Sequence, residues 1–227
     1  MSIAQPTYGR INAEQVRRLT DSVLRQDEPF FMLNLMRYRP LAVYEDGRET
    51  ALTGMQADDV YAPVEILHDL DAEIVLFGDV VDQPRGDEGW HRVAIVRYPT
   101  VQSFLDMQER PDFIDRHVHK DAGMESTVIA VCRPLSGALP VADGPLLVDL
   151  VTTDPEAVDV RAGAVVLRVD HTLIGDVTAG AVLVLRTLPS GSATAEDLLP
   201  AVGPATTVAV VPLLNALPSW LPDAGTA

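Results

Sequence analysis

Apolar residues in this chain fall into short runs of strand length, separated by stretches where they recur every three or four residues. The first run is Phe30–Tyr38, FFMLNLMRY, which Pro40 ends. Before it, residues 12–26 predict a helix. Asn12 suits an N-cap, and Ile11, Val16, Leu19, Val23 and Leu24 fall near helical spacing until Pro29 closes the segment. Residues 41–55 contain the turn signal Asp46-Gly47 and read as a loop or short hairpin. Residues 57–70 predict a second helix with Val60, Val64 and Leu67 on one stripe, and Pro63 fits only near a first turn. Strands are expected at 73–80 and 90–98, joined by the turn-rich segment 83–87. Thr100 caps a helix through Phe104, Leu105 and Met107, and after Pro111 helical spacing resumes over 112–119. A strand at 127–132 stops at Pro134.

After the leading helix the order is therefore β-α-β-β-α-β, and the second half repeats it in shortened form. Strands are expected at 145–151, 165–177, 180–186 and 206–214, with helices at 154–160 and 193–202. The residues also align. MLNLM (32–36) matches LVDLV (147–151), and VLFGDV (75–80) matches TLIGDV (172–177). VAIVRYPT (93–100) matches VLVLRTLP (182–189), and VIAVCRPL (128–135) matches VAVVPLL (208–214). These matches imply an internal duplication, with Asn34 over Asp149 and Arg97 over Arg186 and a linker at 135–144. A β-α-β-β-α-β unit makes a four-stranded antiparallel sheet with both helices on one face. The bare face needs a partner, and two such units can close into a barrel around a largely apolar cavity. The barrel could form within one chain, as a pseudo-dimeric monomer, or between two chains, as a homodimer.

Composition locates the chemistry. Residues 1–134 hold eleven of the twelve aromatic side chains, all six methionines and four of the five histidines. With 33 acidic against 17 basic residues the net charge is −16, which disfavours nucleic acid and anionic membrane as partners. No apolar run reaches the ~18 residues of a membrane span, and the N-terminal residues lack a signal-peptide core, so a soluble cytoplasmic protein is expected. The single cysteine, Cys132, excludes an internal disulfide and Cys-based metal clusters. Ser190-Gly191-Ser192 lacks the spacing and lysine of a phosphate loop, and neither a nucleophile elbow nor an HExxH pattern occurs.

The first half resembles domain-of-unknown-function family 1330, of the dimeric α/β-barrel (ferredoxin-like) superfamily. The resemblance covers roughly residues 30–134. It rests on Met32-Leu33-Asn34-Leu35-Met36-Arg37-Tyr38, then Asp46-Gly47-Arg48, Tyr61, and Trp90 through Tyr98-Pro99-Thr100. It continues with Met107, Pro111-Asp112-Phe113, His117 and Ala122-Gly123-Met124-Glu125-Ser126-Thr127. It implies an α+β fold: two tandem ferredoxin-like units whose antiparallel sheets pack into an α/β barrel. Residues 1–134 would be a site-bearing unit with an extra N-terminal helix, and 145–227 a degenerate repeat. The superfamily includes cofactor-independent oxygenases, lactone isomerases, polyketide cyclases and haem proteins, so fold alone does not select a reaction.

Within that frame Asn34 is a mid-strand amide, either bonded to a neighbouring strand or lining the cavity. Arg97 and Arg186 are strand-end cations that either pair structurally, for example with Asp149, or reach the cavity. His117 and His119 are two apart on a helix and point about 200° from each other, so they do not form a metal pair. One of them could serve as a general base, or either could simply cap the helix end. The expected function is a small-molecule pocket enzyme for an apolar aromatic or polyketide-like metabolite, working by proton transfer in oxygenation, isomerisation or cyclisation. His117, Arg92 and Asn34 would be catalytic, and Tyr61, Trp90, Met32, Met36 and Arg97 would bind substrate. No metal or organic cofactor is expected, with haem at His117 the superfamily's alternative. The competing expectation is a non-catalytic small-molecule-binding or stress-associated barrel protein.

Overall fold

The computed structural model describes residues 6–21, 27–86, 89–137, 144–152, 164–177, 180–187 and 205–216. In chain order the elements are α1 (Ala13–Asp21), β1 (Phe30–Tyr38), α2 (Gly54–Tyr61), α3 (Val64–Asp69), β2 (Glu73–Arg85) and β3 (Arg92–Tyr98). Then come α4 (Val101–Glu109), α5 (Pro111–Gly123), β4 (Met124–Gly137), β5 (Leu146–Val151), β6 (Ala164–Ile174), β7 (Val182–Thr187) and β8 (Ala205–Asn215). The helix expected at 57–70 is split at Ala62-Pro63, because proline cannot donate to the turn before it. β2 runs on through the expected turn to Arg85, and β4 passes Pro134 to Gly137. The helices expected at 154–160 and 193–202, and residues 22–26 of the first, lie outside the described residues.

The eight strands form one closed antiparallel barrel in the order β1-β3-β2-β8-β5-β7-β6-β4, with β4 returning to β1. This corrects the expected fold class of two ferredoxin-like α+β units whose sheets pack together. The halves do not stack. They join edge to edge, β2 on β8 and β4 on β6, and all five described helices belong to the first half. Closure pairs backbone groups that two stacked sheets would leave open at four edges. The barrel closes within a single chain.

Alternation sorts side chains to the two sides of the wall. Phe31, Leu33 and Leu35 of β1 point inward with Val93, Ile95, Val148, Leu167, Leu183, Leu185 and Val210, a set of buried residues in mutual contact. The interior is thus occupied by apolar side chains rather than by convergent polar groups, as in other small eight-stranded barrels. Cys132 is among them, and burial pushes its thiol up to about 12, which leaves it inert.

On the outer face Asn34 and Asp149 occupy matching places on β1 and β5. Asp149 is fully buried, pairs with Arg186 and accepts from Thr207 Oγ1 at 2.7 Å. The alignment of Arg97 with Arg186 is off by one. Asn34 stands opposite Ala94 and Asp149 opposite Val184, so the counterpart of Arg97 is Thr187. Arg97 has the inward parity of Val93 and Ile95, whereas Arg186 lies on the outer side with Asp149.

Candidate functional site

Polar chemistry gathers outside the barrel, where α2 and α5 pack against the ends of β1 and β3. Thr53 starts α2 with a capping box: its hydroxyl accepts from Gln56 N–H at 3.2 Å, and Gln56 Oε1 accepts from Thr53 N–H at 2.9 Å. α5 opens on Pro111, which suits a first turn, and ends at Gly123. The backbone of Arg39, just past β1, ties both helices down: its N–H donates to Gly123 O at 2.9 Å and its carbonyl accepts from Gly54 N–H at 3.0 Å.

Along α5 the residues Phe113, His117, Lys120 and Asp121 recur at helical spacing on one stripe. His117 Nδ1 lies 3.4 Å from Asp121 Oδ2, and Nε2 lies 3.3 Å from the Tyr8 hydroxyl. An ionised carboxylate can only accept, so Nδ1 carries the proton and Nε2 of the neutral ring accepts from Tyr8. Tyr61 meets the His117 ring edge-on with centroids 5.7 Å apart, and Phe113 lies at 5.6 Å. Burial works against the Asp121 carboxylate, but bonds from His117 and from Thr7 N–H, at 3.1 Å, hold it below the usual aspartate range. Thr7 and Tyr8 form a strap across α5. The chain then pairs at Ile11 with Ile174 of β6.

Lys120 is 7 % exposed. Its ammonium lies 4.9 Å from the centroid of the Tyr61 ring and 5.8 Å from that of Tyr8. Burial pulls its pKa down, against the opposing pull of Asp58 and Asp121. Asp58 is as deeply buried. Burial raises its pKa despite Lys120, Arg92 and the Tyr38 hydroxyl, which donates to Oδ2 at 2.6 Å. Arg92 closes the network: Nε donates to Asp79 at 2.9 Å, one terminal nitrogen to Asp59 at 2.7 Å, and Asp58 lies 4.0 Å away.

The structure thus brings together two residues expected at the site, His117 and Tyr61. Met36 adjoins through Tyr38, whose hydroxyl lies 3.4 Å from its sulfur. Arg92 is committed to carboxylates and positions Asp58 rather than facing open space. Asn34 donates to Met32 O in its own strand at 3.2 Å, and Met32 packs among core residues that include Tyr61. Trp90 belongs to the barrel interior, its Nε1–H buried without a partner, and Arg97 sits at a strand end opposite Phe31 and Glu73. None of Asn34, Trp90 and Arg97 joins His117. His119 faces elsewhere, is partly exposed and bonds the Tyr44 hydroxyl at 2.7 Å.

Sequence reasoning missed Tyr8, Tyr38, Asp58, Lys120 and Asp121. One signal was legible: Lys120 is the sole lysine among 17 basic residues, and it falls three residues after His117. His117 does not suit a haem ligand, since both nitrogens face protein partners and aromatic rings flank the imidazole. Among the described residues no group of three His, Cys, Asp or Glu side chains could hold a metal ion, and no helix is long and apolar enough to cross a membrane.

No family model and no curated protein matches the chain. Among solved structures, methylated RPA0582 protein is 30% identical with a TM-score of 0.51, over 56% of this chain and 96% of that one. A second structure of RPA0582, a protein of unknown function from Rhodopseudomonas palustris, is 27% identical with a TM-score of 0.50, over 57% and 98%. A mutant chlorite dismutase from Candidatus Nitrospira defluvii covers 84% of this chain and 94% of its own, at 9% identity and a TM-score of 0.45, too distant to carry an argument. The chain belongs to the family of the RPA0582 protein.

Proposed function

We propose that this protein handles an apolar carbonyl metabolite, aromatic or polyketide-like, by proton transfer without a bound organic cofactor, at the cluster between α2 and α5. The pattern in residues 30–134 is read as membership of domain-of-unknown-function family 1330. The observation that carries the proposal is the line Asp121–His117–Tyr8, with contacts of 3.4 and 3.3 Å, beside a buried ammonium. Asp121 accepts from Nδ1–H and so orients the imidazole with Nε2 free to act as the base, and the Tyr8 hydroxyl is positioned to pass the proton on. Positive charge at Lys120 stabilises an enolate oxygen as it forms, and low-dielectric surroundings strengthen that interaction. Isomerisation and cyclisation both proceed through such an enolate. A binding role without turnover is the second reading, favoured by Tyr8 lying over the cluster with only 4 % of its surface exposed.

The test is hydrogen exchange at carbon. A panel of aromatic and aliphatic ketones in D2O should include compounds whose α-protons exchange faster with the protein than with buffer. A panel in which none does, while one or more raise the melting temperature, would favour the binding reading.

A further inference from the structure

We propose that Lys120 is a nucleophile that forms an imine with a carbonyl ligand at the cluster it makes with Tyr8, Asp58, Tyr61 and His117. The inference rests on reading this cluster as a carbonyl site, and in it the amine acts as a covalent nucleophile in place of the charge that would stabilise an enolate oxygen.

Three observations point to this lysine. First, all other basic residues in the sequence are arginines, sixteen of the 17 Lys and Arg, and they make the ion pairs of the surface. The single amine side chain is buried, as is Arg92, but Arg92 is paired with carboxylates. A guanidinium stays protonated under all ordinary conditions, whereas an amine can lose its proton and attack carbon. Second, among the described residues Nζ makes no hydrogen bond or ion pair within 4.0 Å, and its nearest partners are the faces of Tyr61 and Tyr8. A lysine that served only to balance charge would sit against a carboxylate, as Arg92 does here. Third, the surroundings favour the neutral amine, because burial outweighs the attraction of Asp58 and Asp121. The other groups facing it are the phenols of Tyr8 and Tyr61, which burial keeps protonated, and His117.

The step balances without an oxidant or reductant. The Nζ lone pair forms a C–N bond to the carbonyl carbon and gives a carbinolamine. The C–O bond then breaks, and oxygen leaves as water with the two protons that the neutral amine gives up. Asp58, whose buried carboxyl retains its proton to higher pH than an ordinary aspartate, is the acid suited to relay one of them. Protonated on nitrogen by the carboxyl proton of Asp58, the imine becomes an iminium and withdraws electrons from the α-carbon, which is where His117 would take its proton.

Because the sequence holds one lysine, the test is direct. The folded protein is incubated with benzaldehyde and sodium cyanoborohydride at neutral pH, and adducts are located by peptide mass mapping. N-acetyl-lysine amide serves as the reference amine. The expected result is a benzyl adduct on Lys120, formed faster than on the reference, because burial shifts this amine toward its neutral, nucleophilic form. Lys120→Arg should form none there while keeping its near-ultraviolet circular dichroism. No Lys120 adduct in the folded protein, or one formed no faster than on the reference, overturns the inference. The two readings separate cleanly. α-Proton exchange that needs His117 but survives Lys120→Arg leaves proton transfer standing and removes the imine. A Lys120 adduct in a protein that exchanges no proton does the reverse.

Discussion

Gly54 and Gly123 meet backbone to backbone: a methyl group built on either would lie 2.3 Å from the other's carbonyl oxygen. This contact sets how closely α2 and α5 approach. Asp58 lies four residues after Gly54 and Lys120 three before Gly123, so the same contact brings that acid and that amine to one place.

Gly123→Ala should therefore destabilise the protein by about 1–3 kcal/mol, since the clash is with backbone that cannot swing away. Gly144→Ala is the control, its nearest neighbour being a methyl of Thr187 at 3.9 Å. Urea unfolding of the two variants checks this. Equal midpoints would show that α2 and α5 are not held at this distance.

Arg92 tests a reassignment from catalysis to positioning. Arg92→Met leaves Asp58 with Lys120 as its remaining cation and releases the ties to Asp59 and Asp79. The loss should be about 2 kcal/mol, tempered because Asp59 and Asp79 are half-exposed and can be solvated. Arg92→Lys should rescue less than half of it, since one ammonium cannot reach in both directions as the guanidinium does. Melting temperatures of the three proteins decide it, and full rescue by lysine would contradict the geometry.

Lys120 also gives stability a pH signature. Its folded-state pKa is depressed, so between that value and about 10.4 the unfolded chain binds more protons than the folded one. Stability attributable to this group therefore rises with pH through that window. Below it, the penalty of the buried charge is fully present. Lys120→Met removes the penalty, so the variant should be the more stable near pH 7, by about 1–2 kcal/mol, and the gap should close toward pH 10. Asp121 is held below the usual aspartate range and burial pushes the phenols of Tyr8 and Tyr61 upward, so neither accounts for a difference across this window. Denaturation at several pH values measures it. A gap that widens with pH would mean the ammonium is stabilised by its surroundings.

Asp149 is the counterpart far from the site. Asp149→Ala leaves Arg186 without its partner and Thr207 Oγ1 without an acceptor, in a place with no solvent access for the carboxylate. A loss of about 3 kcal/mol is expected, with α-proton exchange per folded molecule unchanged. An exchange rate that falls with the stability would place chemistry in the second half.

Much of the strand pattern could be read from residue order alone, because a run such as Phe30–Tyr38 bounded by Pro29 and Pro40 has few other ways to fold. Barrel closure could not. Inside-outside alternation looks the same whether two sheets stack or join at their edges, and the difference lies in the β2·β8 and β4·β6 pairings between distant segments. The site was half legible. His117 and Tyr61 carry recognisable chemistry, but Tyr8 reaches them from 109 residues away through a strap with no periodic signal. Asp58 and Lys120 look like surface residues in sequence, and only helix packing shows them buried. Trp90 and Arg97 lie away from His117 for another reason: a strand has two faces, and Trp90 packs into the apolar interior whose parity Arg97 shares.

The most direct measurement of the central claim, that chemistry lies at the α2–α5 cluster of the first half, is α-proton exchange of an active ketone in D2O with His117→Ala and His171→Ala side by side. His171 also makes one bond, Nδ1–H donating to Gln15 Oε1 at 3.1 Å, but lies on β6 away from Lys120. His117→Ala should lower the rate at least about tenfold, roughly 1.4 kcal/mol, with the fold intact, and His171→Ala should leave it unchanged. Equal losses from the two substitutions, or no loss from His117→Ala, would contradict the account.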